Sequence, residues 1–166
     1  MKHLLIASLI CLGITVYGQD EFITTWKTDN PGVSASNQIT LPTLSSGYNY
    51  DVDWGDGTSD TGVTGAMTHT YASAGTYTVT ITGDFPRIYF NNGGDKEKIL
   101  TVNQWGDNQW RTLSFYGCTN LDVLATDAPD LSFLTSITYL FRDCTNFNGD
   151  IGHWNTSTIQ SMLGSF

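Results

Sequence analysis

The pattern of hydrophobic and polar positions alternates most regularly in residues 76–82. Tyr77, Val79 and Ile81 share one face of this stretch, and threonines occupy the positions between and beside them. A period of two residues is that of a half-buried β-strand, because successive side chains point to opposite sides. The stretch therefore predicts a strand that buries its apolar face and exposes its threonines.

A second alternating stretch covers residues 48–54. Its apolar face holds two tyrosines, a valine and a tryptophan, and its polar face holds an asparagine and two aspartates. Shorter strands are predicted in residues 21–27 and 38–41, and turns rich in Gly, Pro, Ser and Asn separate them. Several short strands without a helical period indicate a mainly β protein that begins with an antiparallel β-sandwich.

Two motifs stand beside these strands. The first is DWGDGT at residues 53–58, and the second is HTY at 69–71 followed by GTYTV at 75–79. In combination they resemble the PKD (polycystic kidney disease) domain family over residues 19–84. The resemblance implies an immunoglobulin-like sandwich of extracellular proteins, which spaces, presents or binds. Residues 85–90 could form the family's last strand or begin the next domain.

One stretch of ten residues that includes the first motif contains four aspartates: Asp51, Asp53, Asp56 and Asp60. Clustered carboxylates are typical calcium ligands, although the spacing differs from that of an EF-hand. Two carboxylates could also serve as the acid and base of a hydrolase. The third interpretation, which we favour, is a turn in which Asp56 accepts backbone N–H groups. Calcium, if bound, would use Asp51, Asp53 and Asp56; no cofactor is expected.

Beyond residue 85 the alternation gives way to a longer repeat. The sequence FYGCTNL at 115–121 aligns with FRDCTNF at 141–147, which lies 26 residues later. A period in the twenties indicates a solenoid of the leucine-rich type, in which stacked repeats share one core. A third copy begins near residue 156 and stops in mid-motif at Phe166, so we expect the solenoid to be truncated at its C-terminus.

The second copy continues with FNGDI at 147–151 and WNTS at 154–157. Together with the phenylalanine–cysteine element, these motifs resemble the BspA-type leucine-rich repeats of bacterial surface proteins, over about residues 113–166. We assign the repeat domain to residues 85–166. The first copy lacks both motifs and is interpreted as a capping repeat. The resemblance implies adhesion and the binding of host or matrix proteins.

The segment between the two parts contains residues 91–95, which predict a flexible turn. Trp105 and Trp110 follow it, outside the periodic region. Aromatic faces can stack on sugar rings, so these two residues are candidates for ligand binding. Core packing is the favoured alternative, because tryptophans contribute large buried areas.

Cys118 and Cys144 occupy equivalent positions in neighbouring repeats. Coils stacked about 5 Å apart are compatible with a disulfide. A cysteine that recurs once per repeat is more often a small buried apolar residue, and we favour free thiols. No metal site is predicted, since His153 stands alone without a ligand spacing.

The N-terminus has the form of a secretory signal peptide over residues 1–18. A short basic start precedes an apolar run from Leu4 to Val16 that is too short to span a membrane. The net charge of -9, with only 7 Lys and Arg, disfavours binding to nucleic acid or to anionic membranes. We therefore expect no nucleic-acid partner and no membrane insertion after cleavage.

These observations predict a secreted protein, or one displayed on the bacterial cell surface, that is not an enzyme. The sandwich would serve as a spacer, and the repeats would bind an extracellular protein or matrix ligand. A glycan is a further candidate partner. The alternative is an accessory, carbohydrate-binding region of a secreted hydrolase, since sandwiches of this kind often accompany such enzymes.

Overall fold

The computed structural model describes residues 21–166, so the signal-peptide prediction lies outside the described residues. Within that range the chain contains ten β-strands and no helix, which confirms the mainly β prediction. The strands are β1 (Phe22–Lys27), β2 (Gln38–Thr40), β3 (Asn49–Asp53), β4 (Ser59–Val63), β5 (Thr68–Thr70), β6 (Thr76–Asp84), β7 (Arg87–Tyr89), β8 (Ile99–Gln104), β9 (Thr112–Ser114) and β10 (Asp122–Val123).

The largest sheet has six strands in the order β10-β8-β1-β6-β3-β4. The two strands with the most regular alternation, β3 and β6, pair antiparallel, and Val52 of β3 lies opposite Ile81 of β6. Both of these side chains are buried, whereas Asp51 and Asp53 on the other face of β3 are exposed. The period of two in the sequence thus selects the side of the sheet that packs into the core.

A second, two-stranded sheet joins β2 and β5 and contributes Ile39 to the same core. The buried apolar residues of the described chain form one cluster, from Phe22 near the start of β1 to Trp154 in the last third of the sequence. Aromatic rings fill much of it, and a large ring removes more apolar area from water than any aliphatic side chain.

The sheet continues past residue 84. Strand β8 pairs antiparallel with β1, where Thr24 lies opposite Val102 and Trp26 opposite Ile99. Strand β10 then pairs parallel with β8. The segment that resembles a PKD domain and the segment that follows it therefore share one hydrogen-bonded sheet.

Parallel coils follow, each bonded to the next at a spacing close to that of the sequence repeat. Strand β7 pairs with β9, and Arg87 lies opposite Thr112. Further along the chain, Phe115 N donates to Leu140 O at 2.8 Å and Phe141 N to Ser165 O at 2.9 Å. These contacts join segments that lie 24 or 25 residues apart, close to the period of the sequence repeat.

Each coil contributes a phenylalanine, and the rings of successive coils pack on one another in a row. Phe90, Phe115, Phe141 and Phe166 succeed one another with centroid distances of 6.0, 5.7 and 6.1 Å. Trp26 of β1 extends the stack, at 5.8 Å from Phe90. The ring at position 90 shows that coil packing begins one repeat earlier than the FYGCTNL motif indicates.

Asp95 lies at the junction between the sheet and the coils and is 1% exposed. Its carboxylate accepts hydrogen bonds from the backbone N–H groups of Val33, Ser34 and Thr40 at 2.8–3.0 Å. The Ser34 hydroxyl donates a fourth at 2.7 Å. The turn at 91–95, expected to be flexible, thus ends in a fully bonded buried residue, because four donors compensate the carboxylate for lost water.

Lys98 is its partner and is 0% exposed. The ammonium group donates to the carbonyl oxygens of Ser34, Ala35 and Gln38 at 2.8–3.1 Å and lies 4.0 Å from Asp95 Oδ1. Burial lowers the pKa of Lys98, and the nearby carboxylate opposes that change. The pair joins the loop before β2 to the strand that enters the coils.

Cys118 and Cys144 are free and buried. The Cys144 thiol donates to Phe115 O at 3.1 Å. Burial raises the pKa of Cys118 well above its ordinary value and that of Cys144 to about 12. Both groups are thus protonated thiols within the stack of coils.

Replacing the buried lysine tests the ionic junction. We expect Lys98→Met to lower the free energy of unfolding by about 3–5 kcal/mol. The substitution leaves the buried Asp95 carboxylate without its opposite charge and three carbonyl oxygens without their hydrogen-bond donor. Urea denaturation of both proteins measures the change. The matched control is Lys27→Met, because the Lys27 side chain is 45% exposed and its ammonium lies 3.9 Å from the Asp29 carboxylate. Its loss of stability is expected to be below about 1 kcal/mol. Equal losses in the two variants would contradict this account.

The thiols offer a second test, made in a Cys11→Ser background so that only Cys118 and Cys144 are counted. We expect neither to react with a disulfide reagent in the native protein, because buried thiols with raised pKa values hold little thiolate. Both should react after unfolding in guanidinium without a reductant. A chain that yields no free thiol when unfolded would instead contain the Cys118–Cys144 bridge.

Candidate functional site

The DWGDGT motif forms the turn between β3 and β4. Gly55 N donates to Asp53 Oδ1 at 2.8 Å, and the backbone N–H and hydroxyl of Thr58 donate to Asp56 Oδ1 at 3.0 and 2.6 Å. Gly55 has a φ of 76°, and a Cβ there would lie 2.2 Å from Thr78 O. The glycine is required by both its dihedral angle and the close strand behind it.

The remaining two aspartates are also used locally. Asp60 Oδ2 accepts the indole N–H of Trp54 at 2.8 Å, and Asp51 Oδ1 accepts the backbone N–H of Gly62 at 2.8 Å. No three His, Cys, Asp or Glu side chains within residues 21–166 converge as a metal-binding group. The calcium candidates Asp51, Asp53 and Asp56 therefore each hold a different part of the turn.

His69 packs behind this turn and connects it to β5. Its ring stacks on Trp54 with centroids 4.7 Å apart and meets Tyr71 edge-on at 4.5 Å. His69 Nε2 lies 2.9 Å from Asp56 Oδ2. Hydrogen bonds from Thr58 and then from His69 lower the pKa of Asp56 to about 2.

The group of Asp56, His69 and Thr58 differs from a nucleophile triad. In a triad the imidazole binds the acid through one nitrogen and the nucleophile through the other. Here Nε2 faces both Asp56 and the Thr58 hydroxyl, at 2.9 and 3.5 Å, and that hydroxyl donates to the carboxylate. The arrangement stabilises a turn and leaves the hydroxyl unactivated.

Trp105 and Trp110 are both 0% exposed. They contact each other at 5.9 Å with perpendicular rings, and both pack on Phe22 of β1. Their indole N–H groups have no hydrogen-bond partner in the described chain, so ring edges and faces are their main contacts. Neither presents a face to solvent, and the structure thus provides no surface for a sugar to stack at these two residues.

The loop between these tryptophans nevertheless borders a cavity. This open cavity of about 580 Å³ lies where the turn between β6 and β7 meets the loop that follows β8. Its volume is within the range of about 300–1,000 Å³ of small-molecule sites. The polar side chains that line it are Asp84, Arg87, Asp107, Asn108, Gln109 and Arg111.

The walls of this junction cavity are held by defined contacts. An Arg87 guanidinium N–H donates to Ser46 O at 2.7 Å, and Arg111 N donates to Pro86 O at 2.8 Å. The Arg111 guanidinium lies over the ring of Phe133, 5.2 Å from its centroid. Both arginines are thus positioned by neighbours before any ligand arrives.

Sequence reasoning selected this loop for its tryptophans and missed the polar residues between them. A signal was nevertheless present. Two tryptophans that anchor the ends of a short loop in the core leave the intervening polar side chains outside. Residues 107–109 are Asp, Asn and Gln, all capable of hydrogen bonding.

Comparison with protein-family models gives two matches. Residues 19–84 match a model described as PKD domain, which confirms the PKD-like prediction for that part of the chain. Residues 111–166 match a model described as Mycoplasma protein of unknown function, DUF285. No curated protein and no solved structure matches the chain significantly.

The PKD match indicates an extracellular adhesion-type or spacer domain, since PKD domains are typically extracellular. In the part of the chain that the structure describes, no helix has the length and apolar character needed to cross a membrane.

The turn predicts a change in acid stability. The pKa of Asp56 falls from 3.8 to about 2 on folding, so its ionised form stabilises the protein above pH 3.8, and this contribution is lost as the pH falls to about 2. Asp56→Asn should therefore be less stable than the native protein at pH 6, with the difference shrinking between pH 4 and pH 2. Thermal unfolding at a series of pH values measures this.

Thr58→Val removes the hydrogen bond that contributes most to the lowered pKa of Asp56, and it keeps the Asp56 carboxyl group. The stability that depends on ionised Asp56 should therefore be smaller in this variant and be lost over a narrower pH range. Thr64→Val, at an exposed threonine beyond the turn, is the matched control. A constant difference between Asp56→Asn and the native protein from pH 6 to pH 2 would contradict the prediction.

Proposed function

We propose that this chain is a non-catalytic binding protein, secreted or displayed on a bacterial surface. In this proposal the PKD part is a spacer and the coils bind an extracellular protein or matrix ligand. The match of residues 19–84 to a PKD domain supports the extracellular setting. The binding role is supported by the surface that the coils present.

One exposed cluster of the coils carries this proposal. The guanidinium of Arg142 lies 5.3 Å from the ring centroid of Tyr116 and 4.8 Å from that of Tyr139. Arg142 is exposed and both tyrosines are half-buried. Tyrosine and arginine are enriched at the centres of protein interfaces, because they combine large contact area with hydrogen bonding. We call these three residues the Arg142 cluster.

The arginine of this cluster is ordered in advance. Cation–π contacts with two rings hold the guanidinium in place, and the backbone of Arg142 accepts a hydrogen bond from Gly117 N at 2.8 Å. Tyr116 and Arg142 come from neighbouring coils, so coil stacking assembles the cluster. An ordered arginine loses less conformational entropy on binding than a free one.

We also propose that the coils are BspA-type leucine-rich repeats. The parallel hydrogen bonds between coils, the stacked phenylalanines and the buried cysteine in each of two coils support that assignment. A spacer function for the PKD part fits the shared sheet and the buried Asp95–Lys98 pair, which together resist bending between the two parts.

Binding to immobilised collagen, fibronectin, laminin and fibrinogen, measured by surface plasmon resonance, tests the proposal. We expect at least one of these proteins to bind, and Arg142→Ala to weaken that binding at least tenfold, because the substitution removes the centre of the cluster. Circular dichroism and the thermal midpoint confirm that the variant is folded.

Arg111→Ala is the matched control, since it also removes an exposed arginine stacked on an aromatic ring but leaves the Arg142 cluster intact. It should retain the native affinity. Absence of binding to all four proteins, or equal weakening by both substitutions, would contradict the proposal.

A further inference from the structure

We infer that the junction cavity binds an uncharged saccharide unit through hydrogen bonds to Arg87, Asn108, Gln109 and Arg111. This inference goes beyond the protein-binding role of the coils, and it uses a different surface. The cavity is also separate from the aspartate turn and from the tryptophan faces that the sequence offered as ligand sites.

Charge balance argues for an uncharged ligand. The guanidinium groups of Arg87 and Arg111 line the cavity together with the carboxylates of Asp84 and Asp107. An anion would meet two carboxylates there, and a cation would meet two guanidinium groups. A sugar hydroxyl both donates and accepts, so it can use the arginine donors and the carboxylate acceptors together.

A buried amide points to the same conclusion. Asn108 borders the cavity and is only 4% exposed, and its side chain makes no hydrogen bond with the described residues. Its amide atoms are not among the fully buried polar atoms that lack a partner, so they reach the solvent of the cavity. A hydroxyl group held in the cavity would replace that solvent as their hydrogen-bond partner.

The cavity is built before the ligand arrives. Parallel pairing of β7 with β9 sets Arg87 opposite Thr112, which places Arg87 beside Arg111, the residue that precedes β9. The carboxylate of Asp127 accepts the backbone N–H groups of Trp105 and Gly106 at 2.9–3.2 Å. These bonds and the two buried indoles fix the loop that carries residues 107–109, which reduces the entropy lost on binding.

The test applies the purified protein to an array of neutral glycans from plant, animal and microbial sources. Soluble forms of the bound glycans are then titrated by isothermal calorimetry. We expect at least one neutral glycan to bind. Gln109→Ala and Asn108→Ser should each weaken it about tenfold, the effect of losing one well-formed hydrogen bond to a ligand.

Gln109 is exposed, so its substitution tests the cavity even if the change at buried Asn108 unfolds the chain. Arg142→Ala is the control and should bind the glycan as the native protein does, which separates this site from the Arg142 cluster. Three results would overturn the inference: no neutral glycan bound, native affinity in the Gln109→Ala variant, or weakening by Arg142→Ala to the same extent.

Discussion

The buried pair of Asp95 and Lys98 is the interaction on which the rest of the structure depends. Short hydrogen bonds connect it to Val33, Ser34 and Ala35 in the loop before β2, and to Gln38 and Thr40 of β2 itself. A buried ion pair gives little net stability, because dehydrating two charges costs about as much as their attraction returns. In the observed arrangement the loop before β2 and β2 itself supply partners for both charges.

Much of the first part could be predicted from its residues. Alternation predicted that the inner face holds Tyr50, Val52, Tyr77, Val79 and Ile81. Tyr77 is half-buried, and the other four are fully buried. The period of two is a local property of the strand, so it survives any tertiary arrangement. The interpretation of DWGDGT as a turn rests likewise on bonds between residues at most a few positions apart.

The remainder depended on contacts that no local pattern encodes. Strand β8 reaches β1 across nearly eighty positions, and neither strand's sequence specifies that partner. Phe90 joins the ring stack although Gly93 and Asp95 stand where the later copies have the cysteine and asparagine. The candidate site was predicted only as a loop that contains Trp105 and Trp110. Both indole side chains point into the core because they pack on Phe22, a residue more than eighty positions earlier in the sequence.

The position of β1 in the sheet also determines when the chain can fold. Its two neighbours are β6 and β8. Phe22 of β1 therefore pairs with Ile81, and Ile23 pairs with Gln104, only when those later strands are present. Contacts between residues so distant in sequence form slowly, because a long loop must close before they stabilise anything. A chain that emerges from its N-terminus thus keeps β1 unpaired until β6 has emerged, and it completes both pairings of β1 only after Gln104 of β8. Until then the apolar side chains of Phe22 and Trp26 in β1 lack the complete sheet that buries them in the folded protein.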